Sequence, residues 1–207
     1  MKNIVNKGIV IAVFSTILFS FAEGVSFGIK AGMNIANFHG DHAIGFDSKI
    51  GYSGGGFFTI GLNNAFAIQP EVLYTQKGAR YEIIRPQGYL VEGTVIYDYL
   101  EIPVLFKYML PVKSGVKPNL FVGPYFAVNV NAKEKRVANG NSLEADVDRY
   151  VKDTDLGVML GGGVDFGFKK GKIVFDCRYT LGLITTSEEE IYDQKNKVVS
   201  FMLGYSF

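Results

Sequence analysis

The sequence predicts an all-β fold, an eight-stranded antiparallel transmembrane β-barrel wound as an up-and-down meander. Three observations predict it: a hydrophobic period of two from Val25 onward, segments too long for soluble strands, and connections that alternate in length. The chain has 207 residues, 25 of them Gly, no Trp and 48% hydrophobic residues, which suits one β-rich domain with tight turns. Lys plus Arg (21) nearly balance Asp plus Glu (20), so no electrostatic footprint for nucleic acid exists. The single cysteine, Cys177, excludes an intramolecular disulfide.

Residues 1–22 are expected to be an export signal, and residues 23–207 the barrel domain. Lys2 and Lys7 form a positive start, Gly8 to Phe21 an apolar stretch, and Ser20-Phe21-Ala22 a small-residue cleavage site. That stretch is too short for a spanning helix, which takes about 20 apolar residues.

Eight alternating segments follow: 25–38, 49–62, 66–79, 94–109, 118–131, 154–169, 172–184 and 197–207. Soluble strands usually run about five or six residues. Tilted strands crossing a membrane need about 9–11 in the hydrocarbon, plus overhang. The connections Asn63-Asn64-Ala65, 110–117 and Lys170-Gly171 are short, whereas 39–48, 80–93, 132–153 and 185–196 are longer and polar. Short periplasmic turns and long outer loops give this alternation, and an even strand number puts both termini in the periplasm. The last strand, Val199 to Phe207, places Val, Phe, Leu, Tyr and Phe on one face and ends on an aromatic residue.

Charge decides which face meets lipid. Asp176 and Arg178 oppose Phe175 and Tyr179, Glu101 and Lys107 oppose Val104 and Phe106, and Glu71 and Lys77 oppose Val72 and Tyr74. Lys30 and Asp165 fall likewise opposite apolar faces. A Lys or Arg facing lipid at mid-depth costs about 2–4 kcal/mol, so the charged face must be the lumen. Register follows from the turns. A loop at 63–65 pairs Leu62 with Phe66 and Ile60 with Ile68, and a turn at Lys170-Gly171 pairs Phe168 with Ile173. Phe66, Tyr108, Phe168 and Phe207 then form a periplasmic aromatic girdle. Pro70, Pro103 and Pro124 lie inside strands, which predicts local bulges.

The predicted lumen set is Lys30, Glu71, Lys77, Glu101, Lys107, Asp165, Asp176 and Arg178, four bases and four acids. Eight strands enclose a space just wide enough to be filled by side chains, so these charges are expected to pair and plug the barrel. Glu101 is expected to pair with Lys77 or Lys107. The competing reading is a narrow path for ions or small solutes.

Tyr99 to Tyr108 reads YLEIPVLFKY, Gly28 to Asn34 reads GIKAGMN, and Gln69 to Gly78 reads QPEVLYTQKG. Together these resemble the PorT-like outer-membrane barrels of the Bacteroidetes, over nearly all of 24–207. The resemblance implies an eight-stranded barrel of the OmpX type. Within that family PorT itself is associated with export of proteases and adhesins, while most members have no assigned activity.

Chemistry is sparse. His39 and His42 flank Asp41 in a short polar loop without a fourth ligand, so neither metal nor cofactor is expected. A rim hydrolase or acyltransferase would have to use Asp41, His42 and Asp47, or Ser187 with Glu188 to Glu190, and neither group has a catalytic spacing. The runs Gly54 to Gly56 and Gly161 to Gly163 are mid-strand, where they let bulky lumen side chains pass. The expected protein is therefore a non-enzymatic, monomeric barrel among outer-membrane lipid and lipopolysaccharide. It would act in adhesion, assembly or secretion through loops 80–93 and 132–153. The first should extend strands 3 and 4 as a ribbon with unpaired edges. The second, of mixed charge and without a hydrophobic cluster, is expected to be mobile. A soluble barrel for apolar ligands would instead need an apolar lumen.

Overall fold

The computed structural model describes residues 24–86, 89–112, 115–138, 140–168, 170–189 and 193–207. The expected export signal lies outside the described residues. Nine strands make one antiparallel sheet: β1 (Gly24–His39), β2 (Phe46–Gly61), β3 (Phe66–Ile84), β4 (Leu90–Met109), β5 (Val116–Ala138), β6 (Asn141–Asp146), β7 (Thr154–Phe168), β8 (Gly171–Gly182) and β9 (Lys195–Ser206). Eight of them close a ring in the order β4-β3-β2-β1-β9-β8-β7-β5, and β5 returns to β4. These eight are the segments that the alternation delimits. The ninth, β6, pairs only with the outer extension of β5.

Period-two patterning makes this a barrel turned inside out relative to a soluble one. Phe27, Ile29, Met33 and Ile35 of β1 are exposed, while Lys30, Asn34, Ala36 and Phe38 between them are buried. On β4, Leu100, Ile102, Val104 and Phe106 are exposed and Glu101 and Lys107 buried. An apolar outer band around a polar interior is stable only in hydrocarbon. Phe27 stacks on Phe207 at 4.9 Å, and Phe66 lies 5.4 Å from Phe106 and 5.2 Å from Tyr108, all at the periplasmic end.

Ile60 pairs with Ile68, as the 63–65 turn requires. The β7–β8 turn differs from expectation: Phe168 pairs with Gly171 and Phe166 with Ile173. Gly171 joins the ladder at a place with no room for a side chain, since a Cβ there would stand 2.7 Å from a Tyr205 ring carbon. A slip of two positions preserves the face, so Phe168 stays exposed.

The prolines do not bulge the sheet. Pairing lapses beyond Pro70↔Val104 and Pro103↔Tyr125, then resumes in the same register at Leu73↔Glu101 and Phe106↔Val122. A bulge at these depths would turn the charged face to lipid, which costs more than one forfeited ladder hydrogen bond. The irregularities lie nearer the outer ends instead, between Ser48 and Ser53 and at Asp98/Tyr99.

Segment 132–153 is also ordered differently from expectation. β5 runs to Ala138, β6 pairs back on it, and a 3-10 turn at Asp148–Tyr150 leads to Val151. Val147 and Val151 supply the apolar contacts that compositional reading missed, packing into the outer core. The β3–β4 ribbon does extend to Ile84↔Leu90, but its β4 edge is covered by β5 through Val91↔Ala138. A four-stranded sheet, rather than an open two-stranded ribbon, therefore rises above the barrel.

Candidate functional site in the lumen and at the outer mouth

Nine of the buried charges among the described residues form two tiers. In the lower tier, Lys30 Nζ lies 2.9 Å from Glu71 Oε1 and 2.6 Å from Asp176 Oδ2. Arg178 donates to Glu71 Oε2 at 2.8 Å and to Asp176 Oδ2 at 2.7 Å. β3 and β8 lie four strands apart in a ring of eight, so the Arg178–Glu71 pair spans the lumen from wall to wall. Gln69 joins Lys107 to this network, accepting from Lys107 Nζ at 3.1 Å and donating to Glu71 Oε1 at 2.6 Å. Lys107 is a longer 3.9 Å from Asp165, whose carboxylate accepts from Asn119 at 3.0 Å.

The upper tier centres on Lys77, 2.6 Å from Glu101 and 3.1 Å from Asp155. Asp155 Oδ2 also accepts from Tyr125 Oη at 3.0 Å and Asn196 Nδ2 at 2.8 Å. The Lys77 ammonium sits 4.3 Å from the Tyr125 ring centroid and 5.0 Å from that of Tyr99. Six of the eight sequence-derived residues thus meet in the lower tier, and Lys77 and Glu101 meet in the upper. The sequence reading missed Asp155, which makes five acids against four bases in the two tiers, together with the polar connectors Asn119 and Asn196, and the buried charges Lys49 and Asp98, which Gln76 bridges at 2.7 Å and 3.0 Å. For the tier residues the signal was parity: Asp155 shares the inward face of β7 with Asp165, and Asn119 that of β5 with Phe121.

Glycine makes room for the rings between the tiers. A Cβ at Gly161 would stand 2.7 Å from Phe121, and one at Gly28 would collide with Phe57. Phe121, Leu105 and Met159 form a small apolar layer, on which the Arg178 guanidinium rests 5.4 Å from the Phe121 centroid.

Above the upper tier the lumen changes character. Phe38, Val95, Tyr97, Tyr99, Tyr125 and Val151 are buried in one cluster, with Phe46, Tyr81 and Val147 against it. Phe38 meets Phe46 edge-on at 5.2 Å and Tyr97 at 5.8 Å, capping the barrel. Over this cap lies a cavity of about 500 Å³, bordered by Tyr81, Glu134, Arg136, Tyr150, Ser187 and Gln194 among others. Tyr81 donates to Glu134, and Arg136 donates to the same carboxylate at 2.6 Å. These groups lie beyond the lipid-facing row, which ends on β3 at Tyr74. Burial and Glu134 hold the Tyr81 phenol above its ordinary pKa, and the hydrogen bond that Arg136 donates to Glu134 raises that of Arg136. At the opposite, periplasmic end a vestibule of about 500 Å³ opens between Asn63, Asn64, Lys117 and Lys172.

The histidines tie outer loops together. His42 Nδ1 accepts the Asp193 N–H at 3.1 Å, the His42 carbonyl accepts from Gln194 Nε2 at 3.0 Å, and His39 Nε2 is 3.0 Å from the Gly182 carbonyl. Ser187 pairs with Val151 and its hydroxyl accepts from the Glu189 N–H. Glu190 lies outside the described residues. Among the described residues no group of three His, Cys, Asp or Glu side chains could hold a metal ion.

A ring of eight tilted strands with lipid-facing apolar residues and a charged interior defines an integral β-barrel of the bacterial outer membrane. The family described as outer membrane protein beta-barrel domain matches residues 19–188, and the chain belongs to it. The protein resides in the outer membrane and crosses it with each strand of the ring. No curated protein matches the sequence. Several solved barrels are similar. Neisserial surface protein A is 18% identical, with 89% of this chain and 100% of that one covered and a TM-score of 0.46. OprG from Pseudomonas aeruginosa is 12% identical, with coverages of 90% and 97% and a TM-score of 0.48. Ail, the attachment invasion locus protein of Yersinia pestis, is 16% identical, with coverages of 88% and 98% and a TM-score of 0.41.

Proposed function

We propose that this protein is a non-enzymatic, monomeric surface module, acting in adhesion, assembly or secretion through the elements it raises above the membrane. The carrying observation is the doubly closed lumen. Wall-to-wall ion pairs cross it at mid-depth and an aromatic cluster caps it, so the interior serves stability and leaves recognition to the outer surface. The eight sequence-derived charges act as a structural network in this reading. Lipid and lipopolysaccharide surround the barrel, and Lys133 and Lys135 on the outer sheet face suit lipopolysaccharide phosphates. The finer affiliation, with PorT-like barrels of the Bacteroidetes, rests on the three sequence strings alone.

The test replaces 82–92 by a short Gly-Ser linker in the full chain. The barrel should still fold and run faster on a gel unheated than boiled, while partners captured from the native envelope are lost. Loss of partners only when lumen charges change would place the function inside the barrel. Steady conductance of the wild-type protein in a planar bilayer would favour the channel reading instead.

A further inference from the structure

We propose that the outer-mouth cavity is a binding site for an uncharged saccharide, one or two sugar rings in size. This deepens the surface-module reading and rests on it. The cavity of about 500 Å³ falls within the range of small-molecule sites, roughly 300–1,000 Å³. Its floor is the buried cap, so whatever enters stops there. That makes it a seat rather than a passage.

The chemistry of the walls selects the ligand. Tyr150 is 55% exposed at the rim, with the Arg149 guanidinium 5.3 Å from its ring centroid. Tyr81 and Tyr97 offer further aromatic surface deeper in the cavity. Aromatic surface of this kind takes up apolar C–H faces. Among the lining residues the charged groups cancel, because Glu134 accepts from Arg136 as well as from Tyr81. A phosphate or carboxylate would have to strip Glu134 from Arg136, leaving a partly buried carboxylate opposed to the ligand's own charge. A purely apolar ligand would desolvate this pair, along with Ser187 and the Gln194 amide, without replacing their hydrogen bonds to water. A sugar satisfies both demands, since each hydroxyl donates and accepts and the ring C–H face is apolar. The Gln194 side chain also donates to the His42 carbonyl, so one wall of the site is fixed by the first outer loop.

The full-chain barrel in lipid nanodiscs would be examined by saturation-transfer NMR. The probes are glucose, galactose, N-acetylglucosamine, lactose and maltose, each alone, with octanoate as the apolar comparison. Transfer is expected to the ring C–H protons of at least one sugar. The affinity should fall about tenfold in Tyr150→Ala, the usual scale for removing an aromatic anchor. Gln194→Ala, which spares the cap, should weaken the same sugar while heat-modifiable gel mobility shows both variants folded. Transfer to no sugar, or equal transfer in wild type and Tyr150→Ala, would overturn the assignment. So would octanoate binding that Tyr150→Ala abolishes in the absence of any sugar signal. None of these results touches the loop-replacement test, so the surface-module reading stands or falls separately.

Discussion

The lower charge tier and the outer aromatic cap close the same tube by opposite means. In the tier, specific partners reach across from strands far apart in sequence: Glu71 on β3 holds Lys30 and Arg178 together. In the cap, apolar side chains such as Phe38, Val95 and Val151 fill space without designated partners. A charge network fails at a single atom, because removing one partner strands a buried charge, whereas a packed cluster loses contacts in proportion to the atoms removed. The narrow lumen thus has a brittle middle and a graded outer end.

The largest expected effect comes from the middle. Glu71→Gln should destabilise the barrel by about 3–5 kcal/mol, since it leaves Lys30 and Arg178 sharing Asp176 alone. Urea unfolding in detergent would measure this. A loss below that of Phe38→Ala would reverse the contrast between the two regions. Phe38→Ala should cost about 3 kcal/mol through the space it leaves, with the lower-tier ion pairs intact and no conductance gained. Conductance in that variant alone would mean that the tiers do not seal.

Within the upper tier, Asp155→Asn should cost more than Glu101→Gln, by about 1–3 kcal/mol. Asp155 serves Lys77, Tyr125 and Asn196, while Glu101 pairs with Lys77. Equal losses would show that Lys77 alone sets the cost.

The smallest effect belongs to the outer hairpin, where Lys133 pairs with Glu144 at 2.8 Å in water. The hydrogen bond from Lys133 holds the Glu144 carboxyl below its ordinary pKa of 4.5. Its contribution is therefore present above that value and lost as pH falls through the lowered one. Glu144→Gln should leave the melting temperature unchanged, and a clear drop would tie the hairpin to the barrel's stability.

Strand count, facing and most of the register were legible because a period of two ties every residue to one of two environments. That is why Lys30, Asp176 and Arg178 could be placed inward from one sequence. Partnership was not legible, since alternation gives a residue's face but not its height against strands across the lumen. Glu101 could therefore be matched with either Lys77 or Lys107. Asp155 was missed because it sits one residue into β7, where a strand start resembles a loop end. The order in 132–153 was hidden because Val147 and Val151 are two isolated apolar residues in a polar segment, and they find their apolar partners on other strands only in three dimensions.

The seam between β1 and β9 has a consequence for how this molecule is made. Gly28 pairs with Ser206, and the Phe207 N–H donates to the Phe27 carbonyl at 2.8 Å, so the last strand of the ring fastens onto the first. Until β9 meets β1, the sheet has two raw margins and nothing to join them. Such long-range pairing is slow, and open strand margins invite the wrong neighbour. Phe207→Ala, which removes the ring stacked on Phe27, should slow closure in a refolding time course more than it weakens the finished barrel.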